Sequence, residues 1–142
     1  MPSPATCRRE IEALHAFFVD WFTGQVSADA FDRLEDALAP SFEMITPDGI
    51  SRDCSTVLEQ VRSSHGVRES GTFSIEIRNI DVRYELDDLA YVRYEEWQKS
   101  PDTGTTGRLS SVLFEEDPDT PGGVRWLDLH ETWIDSSRPD GT

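Results

Sequence analysis

The sequence predicts an α+β domain in which three N-terminal helices pack on a strongly curved antiparallel sheet. Three observations carry this. The stretch from Ala90 to Asp135 holds three consecutive strand-length runs, AYVRYEEWQ, GRLSSVLFEED and VRWLDLHETWID. They are rich in β-branched and aromatic residues and are parted by Gly, Pro, Asp and Thr turns. The first half of the chain shows helical spacing instead. Between the two, the apolar set of one run changes parity, Phe73, Ile75 and Ile77 giving way to Ile80, Val82 and Tyr84. A bulge near Arg78–Asn79 would absorb that slip and bend the strand.

Element by element, Cys7 to Phe22 reads as a helix, with Ile11, Leu14, Phe18 and Phe22 on one stripe and Gly24 after it. Ser27 is a plausible cap for a second helix carrying Phe31, Leu34 and Leu38, stopped by Pro40. Phe42 to Thr46 is a short strand, Pro47-Asp48-Gly49 a turn, and Ile50 begins the return. Asp53 caps a third helix that runs to Ser64 with Val57, Leu58 and Val61 inward, and Gly66 ends it. Four long antiparallel strands follow, about Thr72 to Glu85, Ala90 to Lys99, Thr106 to Glu116 and Val124 to Asp135. One domain, residues 7–135, is expected, with polar Pro- and Gly-rich tails at 1–6 and 136–142.

Composition narrows the partners. The chain has 142 residues, of which 37% are hydrophobic, with four Trp and seven Phe to anchor a core. Asp and Glu number 28 against 13 Lys and Arg, for a formal charge of −15. Such a surface repels phosphates, so neither nucleic acid nor an anionic membrane is an expected partner. Lys99 is the single lysine. A lysine-poor acidic chain fits a high-salt solvent that screens self-repulsion, or equally a GC-rich genome that favours Arg codons. Cys7 and Cys54 are expected to be reduced thiols of a cytoplasmic protein. Cys54 starts a helix, where a thiolate is stabilised, though a small buried residue serves there as well. No spacing suits a metal, no Gly-rich phosphate loop or Ser-His-Asp elbow is present, and no cofactor is expected.

The order helix-helix-strand-helix and four long strands resembles the nuclear transport factor 2-like superfamily, the cystatin-like cone of SnoaL-like and ketosteroid-isomerase-like proteins. In the C-terminal half, Ala90-Tyr91-Val92-Arg93, Leu109-Ser110-Ser111-Val112-Leu113 and Arg125-Trp126-Leu127-Asp128-Leu129-His130-Glu131 resemble one branch. It includes the association domain of calcium/calmodulin-dependent kinase II. The last strand of that branch often reads Trp-x-x-x-His-x-His; the second His position is Thr132 here.

The resemblance places Arg93 in an internal pocket. Alternation along the strand then brings Tyr91, Glu95 and Trp97 with it. On the last strand the more apolar face, Leu127, Leu129 and Trp133, reads as the inner one and carries Glu131 inward. Leu113 and Trp21 complete the expected wall. Arg93 would grip an anionic or carbonyl ligand, or else pair with Glu131 or Glu95 and only fix the sheet. Asp128 and His130, two apart on the opposite face with Trp126, could form an oriented base or sit at a dimer interface. His65 at the end of the third helix has a dipole role open to it as well as a pocket-rim role. His15 reads as a satisfied core or edge histidine. Asp20 matches, by position alone, where some dehydratase and cyclase relatives place pocket residues. The expected function is a homodimeric domain with a pocket for a small organic ligand. The alternatives are a cofactor-independent isomerase, dehydratase or cyclase, and an oligomerisation module.

Overall fold

The computed structural model describes residues 2–134; the expected tail Ser136–Thr142 lies outside them. Helix α1 spans Pro4–Phe22. Ser3 caps it by accepting the Thr6 N–H at 3.1 Å, and Pro4 occupies the first helical position, where a missing N–H costs nothing. Residues 4–6 are therefore helical, where the sequence reading had a frayed tail. A 3-10 turn, Ala28–Phe31, runs into the short α2, Asp32–Glu35. The expected second helix is thus cut short, and its Leu38 and Pro40 belong to strand β1, Leu38–Ile45. Proline is tolerated there because β1 is irregularly paired between Leu38 and Glu43. β2 spans Ser51–Asp53. Helix α3, Cys54–Arg62, starts at the expected cap, with Asp53 Oδ1 accepting the Thr56 N–H at 2.9 Å.

Four long strands complete the chain: β3 Ser74–Leu86, β4 Leu89–Ser100, β5 Gly104–Glu116 and β6 Val124–Trp133. The sheet order is β2-β1-β6-β5-β4-β3. All neighbours are antiparallel except β1 and β6, which pair in parallel. The sheet is therefore mixed and open, a topology that the strand patterns alone leave unspecified.

Three irregularities aim the side chains. In β3 the register shifts between Arg78 and Asp81, and Asn79 sits at φ 57°, which gives the bulge expected from the parity change. Ile75 and Ile77 before it, and Ile80 and Val82 after it, are all half-buried. A second slip in β3, between Val82 and Tyr84, turns Tyr84 out to 69% exposure. In β6 the register shifts so that Leu113 faces Asp128 while Phe114 faces Trp126. Leu127 is the extra residue, and Trp126 swings to the same side as Leu129 and Glu131.

The core lies between α1 and the inner face of the sheet. Ile11, Leu14 and Trp21 pack with Leu34, Phe42, Val92, Tyr94, Val112, Phe114 and Trp126. One buried charge fastens the layers. Glu10, 1% exposed, accepts the Trp126 indole N–H at 2.9 Å and an Arg33 N–H at 2.5 Å, tying α1 to β6 and α2. Gly122 presses on that carboxylate so closely that a Cβ would lie 2.0 Å from Glu10 Oε1, so a larger residue there would push the carboxylate off its partners.

Candidate functional site

A cavity of about 260 Å³ lies between the helices and the concave face of the sheet. Its apolar lining comes from α1 (Leu14, Phe18, Phe22), α3 (Val57, Val61), β1 (Phe42, Met44) and β6 (Trp126, Leu129). Its polar lining includes Tyr94, Glu96, Arg108 and Glu131, which stand on two rungs of the sheet. Tyr94, Ser110 and Glu131 lie side by side on β4, β5 and β6; Glu96, Arg108 and Trp133 form the next rung. Residues directly opposite share a face, so the pairing itself assembles this cluster. His15 reaches it from α1, and Arg52 of β2 lines the same cavity.

The hydrogen bonds define the charges. The Ile11 carbonyl can only accept, so His15 Nδ1 carries a proton and donates to it at 2.7 Å. His15 Nε2 faces Glu96 Oε1 at 3.0 Å, and the Gln98 amide donates to Glu96 Oε2 at 2.6 Å. Burial alone would lower the imidazole pKa, but the adjoining Glu96 carboxylate raises it above the ordinary value. Burial alone would raise Glu96, but the His15 charge and hydrogen bond, then Arg108 and Gln98, hold it well below the carboxylate range. Both shifts favour the charged forms, imidazolium on His15 and carboxylate on Glu96.

Glu131 behaves in the opposite way. It accepts from Arg108 at 3.1 Å and from the Ser110 hydroxyl at 3.3 Å, yet burial and the neighbouring Glu96 push its pKa up to about 7. Tyr94 is fully buried, and burial, then Glu96 and Glu131, raise its phenol well above 10. It is a neutral O–H donor. Among the described residues, no atom meets hydrogen-bond geometry with Tyr94 Oη or with Arg108 Nε, both buried. The Ser110 hydroxyl, close enough to lower the Tyr94 pKa, donates its own proton to Glu131. The wall therefore presents two unanswered donors and a carboxyl that titrates near neutrality.

Of the residues expected to form the pocket, Leu129 and Glu131 are on the cavity wall. Trp133 shares their side at the strand end, where Arg108 stacks on its ring at 4.9 Å and Asp48 accepts its N–H at 3.0 Å. Trp21 is buried and outside the cavity lining, donating to the Val61 carbonyl at 2.7 Å. Tyr91, Arg93, Glu95, Trp97 and Leu113 do share a face, but it is the outer face of the sheet. The cavity takes the opposite parity of β4, Tyr94, Glu96 and Gln98. Neither expected partner of Arg93 pairs with it: Glu131 is held by Arg108, and Glu95 accepts from Asn79 and Trp97. Trp97 instead lies flat over Gly107, where an added Cβ would come 2.6 Å from the ring.

Asp128 and His130 are exposed on that same outer face, and Trp126, grouped with them by simple alternation, is not. One outer rung reads Arg93, Ser111, His130 and Ile45, the next Tyr91, Leu113, Asp128 and Glu43. Asp20 is exposed, outside the cavity lining. His65 stacks on Trp21 at 4.0 Å and donates from Nε2 to the Val26 carbonyl, a packing role. Cys54 is half-buried, and burial and Asp53 raise its thiol, so the helix start does not activate it. Among the described residues, no group of three His, Cys, Asp or Glu side chains could hold a metal ion.

The reading by parity missed Tyr94, Glu96, Arg108, Ser110 and His15. A signal was available. Ile77 and Ile75 lie opposite Glu96 and Gln98. Their apolar character marks that parity of β4 as the inner one.

Comparison with known proteins agrees with this architecture. The family model described as sucrose-6-phosphate phosphohydrolase C-terminal matches residues 7–135. An NTF-2-like protein of unknown function from Pseudomonas aeruginosa is 34% identical, with a TM-score of 0.82 over 91% of this chain and 98% of that one. At 14% identity, the S. rosetta CaMKII hub superposes with a TM-score of 0.62 over 92% of both chains. The β subunit of benzoate 1,2-dioxygenase from Burkholderia mallei does so at 0.64 with 12% identity, covering 93% of this chain and 88% of its own. These last two show the fold alone. No curated protein matches the chain. With a mixed, open, curved sheet roofed by helices and a family match over nearly its whole length, the chain belongs to the sucrose-6-phosphate phosphohydrolase C-terminal family, within the nuclear transport factor 2-like superfamily.

Proposed function

We propose that this protein is a binding domain for one small organic ligand, seated in the cavity under α1. The observation that carries the reading is Tyr94: a neutral, fully buried hydroxyl on the cavity wall with no partner. An orphaned buried hydroxyl costs about 1–3 kcal/mol, a cost that a ligand oxygen removes. At about 260 Å³ the cavity lies near the lower end of ligand pockets, roughly 300–1,000 Å³. The occupant is therefore compact, with an apolar body against Phe18, Phe22 and Phe42 and an oxygen towards Tyr94.

A fragment screen followed by titration tests this. Tyr94→Phe is expected to keep or slightly raise the melting temperature while weakening each hit by about tenfold, the worth of one hydrogen bond of about 1.4 kcal/mol. Hits that bind wild type and Tyr94→Phe equally would remove the basis of the proposal.

A second reading is favoured by Glu131. A carboxyl that titrates near pH 7 beside a neutral phenol can take a proton from a carbon acid while the phenol steadies the oxygen, as a cofactor-independent isomerase or dehydratase requires. Running the same titrations in D2O separates the two. Deuterium appearing in a bound carbonyl compound marks an enzyme, and unlabelled ligand marks a binder.

Self-association through the outer face is the third element of the proposal. Leu109 and Ile45 remain 37% and 38% exposed there beside Tyr91, Leu113 and His130, and the CaMKII hub has this fold. Sedimentation is expected to give twice the 16.1 kDa chain mass, and Leu109→Glu to return a monomer. A monomeric wild type excludes it. The absence of a membrane-crossing helix among the described residues and two free cysteines fit the cytoplasmic location we assign.

A further inference from the structure

We propose that the cavity admits its ligand as a carboxylate anion, gripped by Tyr94 Oη and Arg108 Nε, and that Glu131 takes up one proton as the anion enters. This rests on the reading of the cavity as a ligand site and goes beyond it by naming the ligand class and its linkage to pH.

Both unanswered groups on the wall are donors, so the site asks for acceptor oxygens. Tyr94 and Arg108 are diagonal neighbours on adjacent strands, since Tyr94 faces Ser110. Such positions lie about 7–8 Å apart at the backbone, within reach of one carboxylate for two long side chains. Arg52, half-buried, lines the same cavity from β2 and, among the described residues, forms no ion pair with this cluster.

The charge balance then decides what happens on entry. The titratable or charged groups lining the cavity are His15 from α1, Arg52 from β2, Tyr94 and Glu96 from β4, Arg108 from β5 and Glu131 from β6. In the buried cluster two cations, His15 and Arg108, face two carboxyls, Glu96 and Glu131. An incoming anion that engages Arg108 leaves the cluster one negative charge in excess, which a low-dielectric site penalises heavily. A proton on one of the carboxyls relieves it. Glu96 keeps His15 and Gln98 whatever happens at Arg108. Among the described residues Glu131 has Arg108 as its one ion-pair partner, the group the ligand draws on. Glu131 is also the carboxyl already lifted towards neutrality.

Isothermal titration with two probe series tests the inference. One series is phenylacetate, 3-phenylpropionate and cyclohexanecarboxylate; the other is the three matching neutral amides. Each is titrated at pH 5.5 and 8.0 in buffers of different ionisation enthalpy. The carboxylates are expected to bind and the amides to bind at least tenfold more weakly. Close to one proton should be taken up per carboxylate at pH 8.0 and almost none at pH 5.5, with affinity falling up to tenfold per pH unit above 7. Glu131→Gln should bind the carboxylates with no proton uptake and a flat pH profile, while its melting temperature confirms that it is folded. Amides that bind as well as acids overturn the anion, and acids that bind without uptake overturn the coupling; both outcomes leave the cavity reading standing. Uptake that persists in Glu131→Gln places the proton on another group, His15, Glu96 or the ligand, and overturns the role of Glu131. If neither series binds, the cavity reading falls with the inference.

Discussion

Arg108→Met lowers the unfolding free energy by about 3–5 kcal/mol, the largest effect expected of any single change at the site. Among the described residues Arg108 is the only cation in contact with Glu131, and it faces Glu96 across the β4–β5 ladder. Methionine fills much of the same volume but leaves the like-charged carboxyls to each other, with the Glu131 side chain 4% exposed. Removing one partner of a buried pair strands the other, which is why the loss exceeds the net worth of the bridge itself. Equilibrium urea unfolding of this single domain at pH 8 measures it. The double variant Arg108→Met, Glu131→Gln should recover part of the loss, because the stranded charge is gone. A single-variant loss below about 1 kcal/mol would show that water reaches the cluster and that the buried-charge account is wrong.

Stability also falls as pH rises through the neutral range. A carboxyl whose folded pKa is raised binds its proton more tightly in the native state than in the unfolded chain. Its contribution is complete below the ordinary value of 4.5 and is lost as pH climbs through about 7. For Glu131 the loss between those limits is on the order of 3 kcal/mol. His15, also raised, adds to the decline above its ordinary value of 6.5. Glu96 is lowered, so its contribution is present above about 4.5 and disappears only as pH falls further. The window is therefore bounded on both sides, with greatest stability near pH 5. Charge repulsion in a −15 chain also grows with pH. Two controls separate the causes. Added salt weakens surface repulsion and leaves the buried group alone, and Glu131→Gln should flatten the slope between pH 5 and 8. An unchanged slope in that variant would assign the whole decline to the surface.

Much of this fold is visible in one-dimensional pattern. Gly and Pro punctuation and period-2 runs mark the four long strands, and Asp53 marks the start of α3. The Phe73–Ile77 to Ile80–Val82 parity change locates a bulge within two residues. The site is less visible, for a physical reason. β4 is amphipathic on both faces, with Tyr91, Arg93, Glu95 and Trp97 on one and Val92, Tyr94, Glu96 and Gln98 on the other. Alternation groups such residues but does not say which group faces in. The second bulge, at Leu127, has no parity signature at all, because Trp126, Leu127 and Leu129 are all large and apolar. Pro40, which reads as a helix stop, sits inside a strand because the parallel pairing of β1 with β6 is irregular there. Such facts belong to the ladder and not to any single strand.

The clasp between Glu10 and Trp126 joins positions 116 residues apart, and His15 meets Glu96 across 81. On a ribosome, the first helix emerges long before either of its polar mates has been synthesised. Until the last strand arrives, Glu10 and His15 must stay hydrated, and the helix cannot settle on a sheet that does not yet exist. Assembly is thus expected to be a late, concerted event, slow for a protein of this size because its decisive contacts are so remote along the chain. A nascent chain stalled before Trp126 should remain open to proteases throughout the helix that later forms the roof.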